Sequence, residues 1–195
     1  FLVMAEIALP LRGASRDSSL LFLCDQASRK VLLVSTQSDW NNSTAILWEW
    51  SAYEADAIPA SQKHLFDYVS DARLVDGGKK LLVTGGSGGG VALIRISDKK
   101  VLFFDRAGKS PHSAELLPDG VLAVVSSQDN CLRVYFPAPE FSHSIDVTVP
   151  SPHGLVWDTH RNGLWVVGLD SLYFFSYKTN SGVSLKLRKR FALPS

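Results

Sequence analysis

Two copies of one short turn constrain this chain more than any other feature. Pro111-His112-Ser113 and Pro152-His153-Gly154 lie 41 residues apart, and another 41 residues back stands Ser70-Asp71-Ala72. Each triplet opens a block of the same make-up. The first block runs Asp71–Val75, a turn at Asp76-Gly77-Gly78, Lys80–Thr84, a glycine stretch, Val91–Ile96, a Ser97-Asp98 turn and Val101–Asp105. The second runs His112–Leu117, Pro118-Asp119-Gly120, Val121–Val125, Cys131–Phe136 and Ser144–Val149. The third runs His153–Trp157, a turn ending at Asn162-Gly163, Leu164–Val167, Leu172–Phe175 and Leu185–Arg188. Every run is short and rich in β-branched and aromatic residues, and Gly, Asp, Asn and Pro separate the runs. No segment reads as a long amphipathic helix.

A period of about 40 residues with four strands per unit is the signature of a β-propeller blade. The fold class expected is all-β, with four-stranded antiparallel blades at residues 20–50, 70–108, 111–149 and 152–194. Residues 20–50 supply only Leu20–Leu23, Val31–Val34 and Ala45–Trp50 and lack an obvious first strand. Residues 1–19 form an N-terminal segment. A blade cannot bury both of its faces alone, so it must stack on neighbours. A closed ring of four blades would need Leu2–Leu9 or Phe191–Leu193 to complete the first blade. The favoured alternative is that these blades are part of a larger ring, since the chain starts at Phe1 and stops after a fourth strand.

Composition narrows the functional classes. Lys plus Arg number 20 and Asp plus Glu 19, for a net charge of +1, which argues against nucleic acid as the main partner. The basic run Lys186, Arg188, Lys189, Arg190 reads as a solvated strand edge. No apolar stretch reaches the 18 or so residues of a membrane span. Phe1–Pro10 is largely apolar but carries Glu6, and it reads equally as a partial secretory signal and as a first strand. Asn41-Asn42-Ser43 and Asn42-Ser43-Thr44 both fit the N-glycosylation pattern, a second pointer to a secreted, extracellular protein. Cys24 and Cys131 are too few for a disulfide framework and read as reduced, apolar residues.

The stretches Pro111–Gly120 and Pro152–Asp158, the Cys24–Ser28 turn and Trp48-Glu49-Trp50 resemble a family of often secreted, six- or seven-bladed propeller proteins of fungi and bacteria. The Pro-His-Gly turn followed by Leu164-Trp165-Val166 is also similar to gluconolactonase-like and NHL-type propellers. Those folds place ligands or metals at the mouth of the central channel. The resemblance spans most of residues 20–178 and implies a fold without an activity. It carries over no metal-ligand set.

The first strand of a blade is innermost, so Asp71, His112 and His153 are expected at equivalent positions around one channel mouth. A carboxylate and two imidazoles suit a divalent cation, or acid and base work on a substrate. A Pro-His pair that merely fixes a turn is the bland alternative. Loops after the second strands reach the same face and bring Asp25, Gln26, Asp129, Asn130 and Asp170, with the run Gly85–Gly90. That run lacks the Lys-Ser/Thr of a phosphate loop and reads as a flexible connection. The long connection Ser51–Val69, with Tyr53, Glu54, Asp56, His64, Asp67 and Tyr68, reads as a lid or as an insertion packed on the blade edge. Trp48, Trp50, Trp157 and Trp165 are expected between blades, and His143 and His160 in solvated turns on the far face.

Two functions follow. One is a binding module that holds a small molecule, a glycan or a protein at the mouth. The alternative is a secreted carbohydrate-active lyase or hydrolase with His112 and His153 as acid and base. In a lyase Arg73 is the nearest cation for a sugar carboxylate.

Overall fold

The structure, a computed structural model, describes residues 5–7, 20–137, 141–178 and 184–194. It contains four separate four-stranded antiparallel sheets, each a simple meander. Blade 1 comprises β1 (Ala5–Ile7), β2 (Leu20–Asp25), β3 (Lys30–Ser35) and β4 (Ile46–Trp50). Blade 2 comprises β5 (Val69–Val75), β6 (Lys80–Gly85), β7 (Gly90–Arg95) and β8 (Val101–Arg106). Blade 3 holds β9 (Pro111–Leu116), β10 (Leu122–Ser126), β11 (Cys131–Phe136) and β12 (His143–Thr148). Blade 4 holds β13 (Gly154–Asp158), β14 (Gly163–Val167), β15 (Ser171–Lys178) and β16 (Ser184–Ala192). The first strand that blade 1 lacked in the sequence pattern is Ala5–Ile7, paired with Leu20–Phe22. The rest of the segment read as a partial signal lies outside the described residues.

The middle strands are apolar on both faces because both faces are covered. In β6, Leu81 and Val83 look back to Phe22, Val31, Leu33 and Trp50 of blade 1. Leu82, between them, looks forward to Leu122, Val124 and Tyr135 of blade 3. Blades 3 and 4 join through Ala123, Val125, Leu132 and Val134 against Leu155, Leu164, Val166 and Phe175. This alternation is the period-2 geometry of a strand used twice, once for each neighbour. The outer strands β12 and β16 are largely exposed.

Trp48 and Trp50 lie in the first interface and Trp157 in the last. Trp165 lies in none of the interfaces among the described blades: it stands on the face of blade 4 turned away from blade 3, packed on Phe174 and Phe191. Val156 and Phe191 on that face are 52% and 46% exposed. Among the described residues, no core cluster joins blade 4 to blade 1.

The long connection is a packed insertion. Its 3-10 turns at Ala52–Glu54 and Ala60–Phe66 bury Ala52, Leu65 and Phe66 in the first interface, and Ile58 between the turns joins them there. The glycine run is part of that packing and not a loose loop. A methyl group on Gly85 or Gly88 would overlap the Leu65 carbonyl, and on Gly90 it would press on the Phe66 ring. Both cysteines are free, and burial pushes the Cys24 thiol up to about 12 and Cys131 up to about 11. His143 opens β12 instead of lying in a turn, and His160 lies in a turn; both are exposed.

Candidate functional site at the channel mouth

The innermost strands β5, β9 and β13 bring two polar layers to the axis. The upper layer is a cavity of about 590 Å³ lined by Gln26, Tyr68, Ser70, Ser87, Ser110, His112 and His153, with Gly86 in its wall. That size is typical of a small-molecule site. His112 and His153 meet there with ring centroids 4.7 Å apart and planes 18° from parallel. Burial and the neighbouring His153 ring hold the His112 imidazole below its ordinary value, so it favours the neutral form.

Local backbone explains why the rings meet. The β9–β10 register slips where β9 passes from Ser113 to Pro111, leaving His112 as the unpaired residue of a bulge. A bulge re-aims a side chain out of the regular alternation. In blade 4 the His153 amide bonds the Val167 carbonyl at 2.9 Å, one residue ahead of the Gly154–Val167 pair.

The same slip in blade 2 falls between Val69 and Asp71. The residue in the histidine position is therefore Ser70, and Asp71 stands one residue past it. The contacts agree: Ser113 bonds Asp71 and Glu115 pairs with Arg73, each across 42 residues. The spacing between blades 2 and 3 exceeds the later 41 by one, so counting back 41 arrives one residue out of register. Ser70 Oγ bonds the Pro111 carbonyl and Thr84 Oγ1, each at 2.8 Å, and ties the mouth of blade 2 to that of blade 3.

Asp71 belongs to the lower layer, where it is 7% exposed. Its Oδ2 accepts from Ser113 Oγ at 2.8 Å, and Ser113 Oγ also accepts from Arg73 at 3.2 Å. Arg73 pairs with Glu115, and Glu115 accepts from the Trp157 amide at 3.3 Å. This network crosses from blade 2 to blade 4, and each member has a partner. Arg73 is held inside it and does not reach upward as a free cation.

The other loop residues divide in two. Gln26 lines the cavity, and its amide reaches the Val69 carbonyl at 3.4 Å. Asp25, Asp129, Asn130 and Asp170 staple turns instead. Asp25 accepts from Ser28 Oγ at 2.6 Å, and that bond lowers its carboxyl below the usual range. Asp129 accepts from the Lys109 amide at 2.7 Å and Asn130 from the Ser151 amide at 2.8 Å. Asp170 pairs with Arg190, and its bond from Ser171 lowers its carboxyl. Among the described residues, no three His, Cys, Asp or Glu side chains gather as a metal ion would require.

Sequence reasoning missed Ser70, Ser87 and Ser110 as lining residues; Tyr68, carried by the connection expected to serve as a lid or an insertion, does reach the mouth and is 53% exposed. Ser110 was findable, because Ser-Pro-His occurs twice, at 110–112 and 151–153.

Four meandering sheets stacked about an axis, with their loops gathered into one mouth, make this a β-propeller protein. The chain belongs to DUF6528, a family of unknown function, whose model matches residues 18–188. Solved structures agree on the fold. Virginiamycin B lyase from Staphylococcus aureus superposes with a TM-score of 0.60 at 16% identity, over 96% of this chain and 58% of that one. The WD40 propeller domain of Doa1 gives 0.58 at 12% identity, over 93% and 52%. A chain of the mitotic checkpoint complex gives 0.63 at 15% identity, over 93% and 50%. The chain thus spans half or somewhat more of the proteins it matches. No curated protein matches it in sequence.

Proposed function

We propose that this propeller is a binding module whose mouth cavity takes a small, uncharged, hydroxyl-rich ligand such as a neutral glycan. The observation that carries the reading is the stacked pair His112–His153 in a cavity of about 590 Å³ whose named lining side chains are hydroxyls, amide and imidazoles, without a carboxylate or a cation. Hydroxyl and imidazole groups exchange hydrogen bonds with sugar hydroxyls, and the Tyr68 face offers a stacking surface. A lyase acting on an acidic sugar is the weaker reading, because Arg73 is engaged by Glu115 in the layer below. Among the described residues, no helix is long and apolar enough to cross a membrane.

The blades fit an arc of a larger ring, supported by the open apolar face of Trp165, Phe174 and Phe191. Secretion belongs to the same proposal and is supported by the exposed acceptor loop at Asn41 and Asn42.

Calorimetric titration with neutral mono- and disaccharides and their uronic acid counterparts tests the ligand class. Neutral sugars should bind to the wild type, and His112→Ala or His153→Ala should weaken that binding at least tenfold. Binding only by uronates, or by no sugar of either kind, would overturn it.

A further inference from the structure

The turn that carries His153 is bent in a way its sequence does not favour. Ser151 sits between Pro150 and Pro152 with φ 37°, in the left-handed region that a residue with a Cβ rarely adopts. Ser110, before the matching Pro111-His112, has φ 54°. Backbone held there persists only when its surroundings fix it. At Ser151 two neighbouring turns do so. The Ser151 amide donates to Asn130 Oδ1 at 2.8 Å, and the Pro150 carbonyl accepts from the Leu169 amide at 2.9 Å. Asn130 is itself left-handed at φ 52°, a conformation its short amide tolerates.

The bend has a chemical result. It turns the Ser151 carbonyl onto Nδ1 of His153 at 2.8 Å. A carbonyl oxygen only accepts, so Nδ1 must carry the proton. In the neutral ring Nε2 is then a bare acceptor. The His112 side differs. The Ser110 carbonyl is taken by the Ser127 amide at 3.1 Å, and the His112 ring makes no hydrogen bond among the described residues. The stacked pair therefore has one ring locked and one ring free.

We infer that Asn130 is a positioning residue: acting through the Ser151 backbone, it fixes His153 as the Nδ1–H tautomer, so that the imidazole meets the ligand as a hydrogen-bond acceptor. The ligand group that meets this nitrogen is then a hydroxyl or N–H donor and not a carboxylate, which has no hydrogen to give. This use of the acceptor rests on the binding reading above, whereas the tautomer does not.

The test uses the full chain without ligand, labelled with ¹⁵N at histidine, at about pH 8, above the imidazole titration range. Two-bond proton–nitrogen correlations read the tautomer of each ring directly. In the wild type, His153 should show a protonated Nδ1 and an unprotonated Nε2. Asn130→Gly keeps the left-handed turn, since glycine adopts it freely, and removes only the side-chain acceptor. It should lose the single tautomer and give a mixture. Asn130→Asp retains an oxygen for the Ser151 amide and should restore the wild-type pattern. A purely structural Asn130 would change thermal stability and leave the tautomer alone. A wild-type ring protonated at Nε2, or an unchanged tautomer in folded Asn130→Gly, would overturn the inference. The wild-type spectrum decides the tautomer even if the glycine variant does not fold. Because no ligand is present, failure here is separate from failure of the sugar titration.

Discussion

The two polar layers of the channel sit on the same inner strands, one residue apart in register, and yet they are built to opposite rules. In the lower layer Asp71, Ser113, Arg73 and Glu115 satisfy one another between blades 2 and 3, and Glu115 reaches on to the Trp157 amide of blade 4. In the upper layer the His112 ring and His153 Nε2 are left without a protein partner among the described residues, and the backbone that presents them is held in left-handed turns. A polar group near a protein interior normally finds a partner, because desolvation without one is costly. The lower layer follows that rule and acts as a clasp between blades. The upper layer departs from it beside an open cavity, as a site that keeps its hydrogen-bonding capacity for a ligand does. A shift of one residue along a strand, by way of a bulge, is enough to pass from one role to the other.

Glu115→Ala should break the comparison on its lower side, with the largest effect. It strips the partner from Arg73 and from the Trp157 amide. The cost expected for a half-buried pair opened on one side is about 2–4 kcal/mol, read as a lower urea midpoint with an unchanged slope. A midpoint within error of the wild type would mean that the lower layer is not a clasp.

A smaller effect is expected at the seam between the long connection and blade 2. Gly88→Ala forces a methyl group into the Leu65 and His64 carbonyls. Overpacking of this kind costs about 1–3 kcal/mol, and proteolysis should open the Ser51–Val69 connection first. Equal protease resistance in variant and wild type would return the glycine run to a loose loop.

The smallest effect is the pH response of the mouth. The folded His112 ring binds its proton less readily than the ordinary 6.5 of an unfolded histidine, chiefly because it is buried. Between those two values the unfolded chain holds more protons, so stability rises with pH there. The contribution is complete above the ordinary value and is lost as pH falls through the range below it. His112→Gln should flatten this part of a stability profile between about pH 7 and 5. An identical profile in the variant would place the titration elsewhere.

Much of the fold was legible because blade stacking writes itself into the sequence twice, as a period of two along each strand and as a period near 41 along the chain. Residues such as Leu81, Leu82 and Val83 face alternate neighbours, and that demand leaves an apolar run. The site was legible in part. The tandem Ser-Pro-His turns could be read, and the two rings do meet. The placement of Asp71 could not be read from spacing, because one added residue ahead of β9 leaves no trace in composition. The side chains of Asp25, Asp129, Asn130 and Asp170 were equally opaque. An Asp or Asn in a loop bonds its own backbone as readily as a ligand, and only coordinates separate the two. The first strand of blade 1, Ala5–Ile7, was legible only as one of two readings of Phe1–Pro10, because it is three residues long and stands apart from β2 in sequence.

The division of labour between the layers is tested most directly by a crossed comparison. Glu115→Ala and the double variant His112→Ala, His153→Ala are each measured for urea stability and for binding of the neutral sugar that binds best to the wild type. The double histidine variant should lose binding at least tenfold while its urea midpoint moves by less than about 1 kcal/mol equivalent, because the two rings pack on each other beside the open cavity and outside the blade interfaces. Glu115→Ala should lose stability and, where still folded, keep its affinity within about threefold, under 1 kcal/mol. If the histidine pair instead carries the stability, or if its removal leaves sugar binding intact, the two layers do not divide as described and the mouth is not the ligand site.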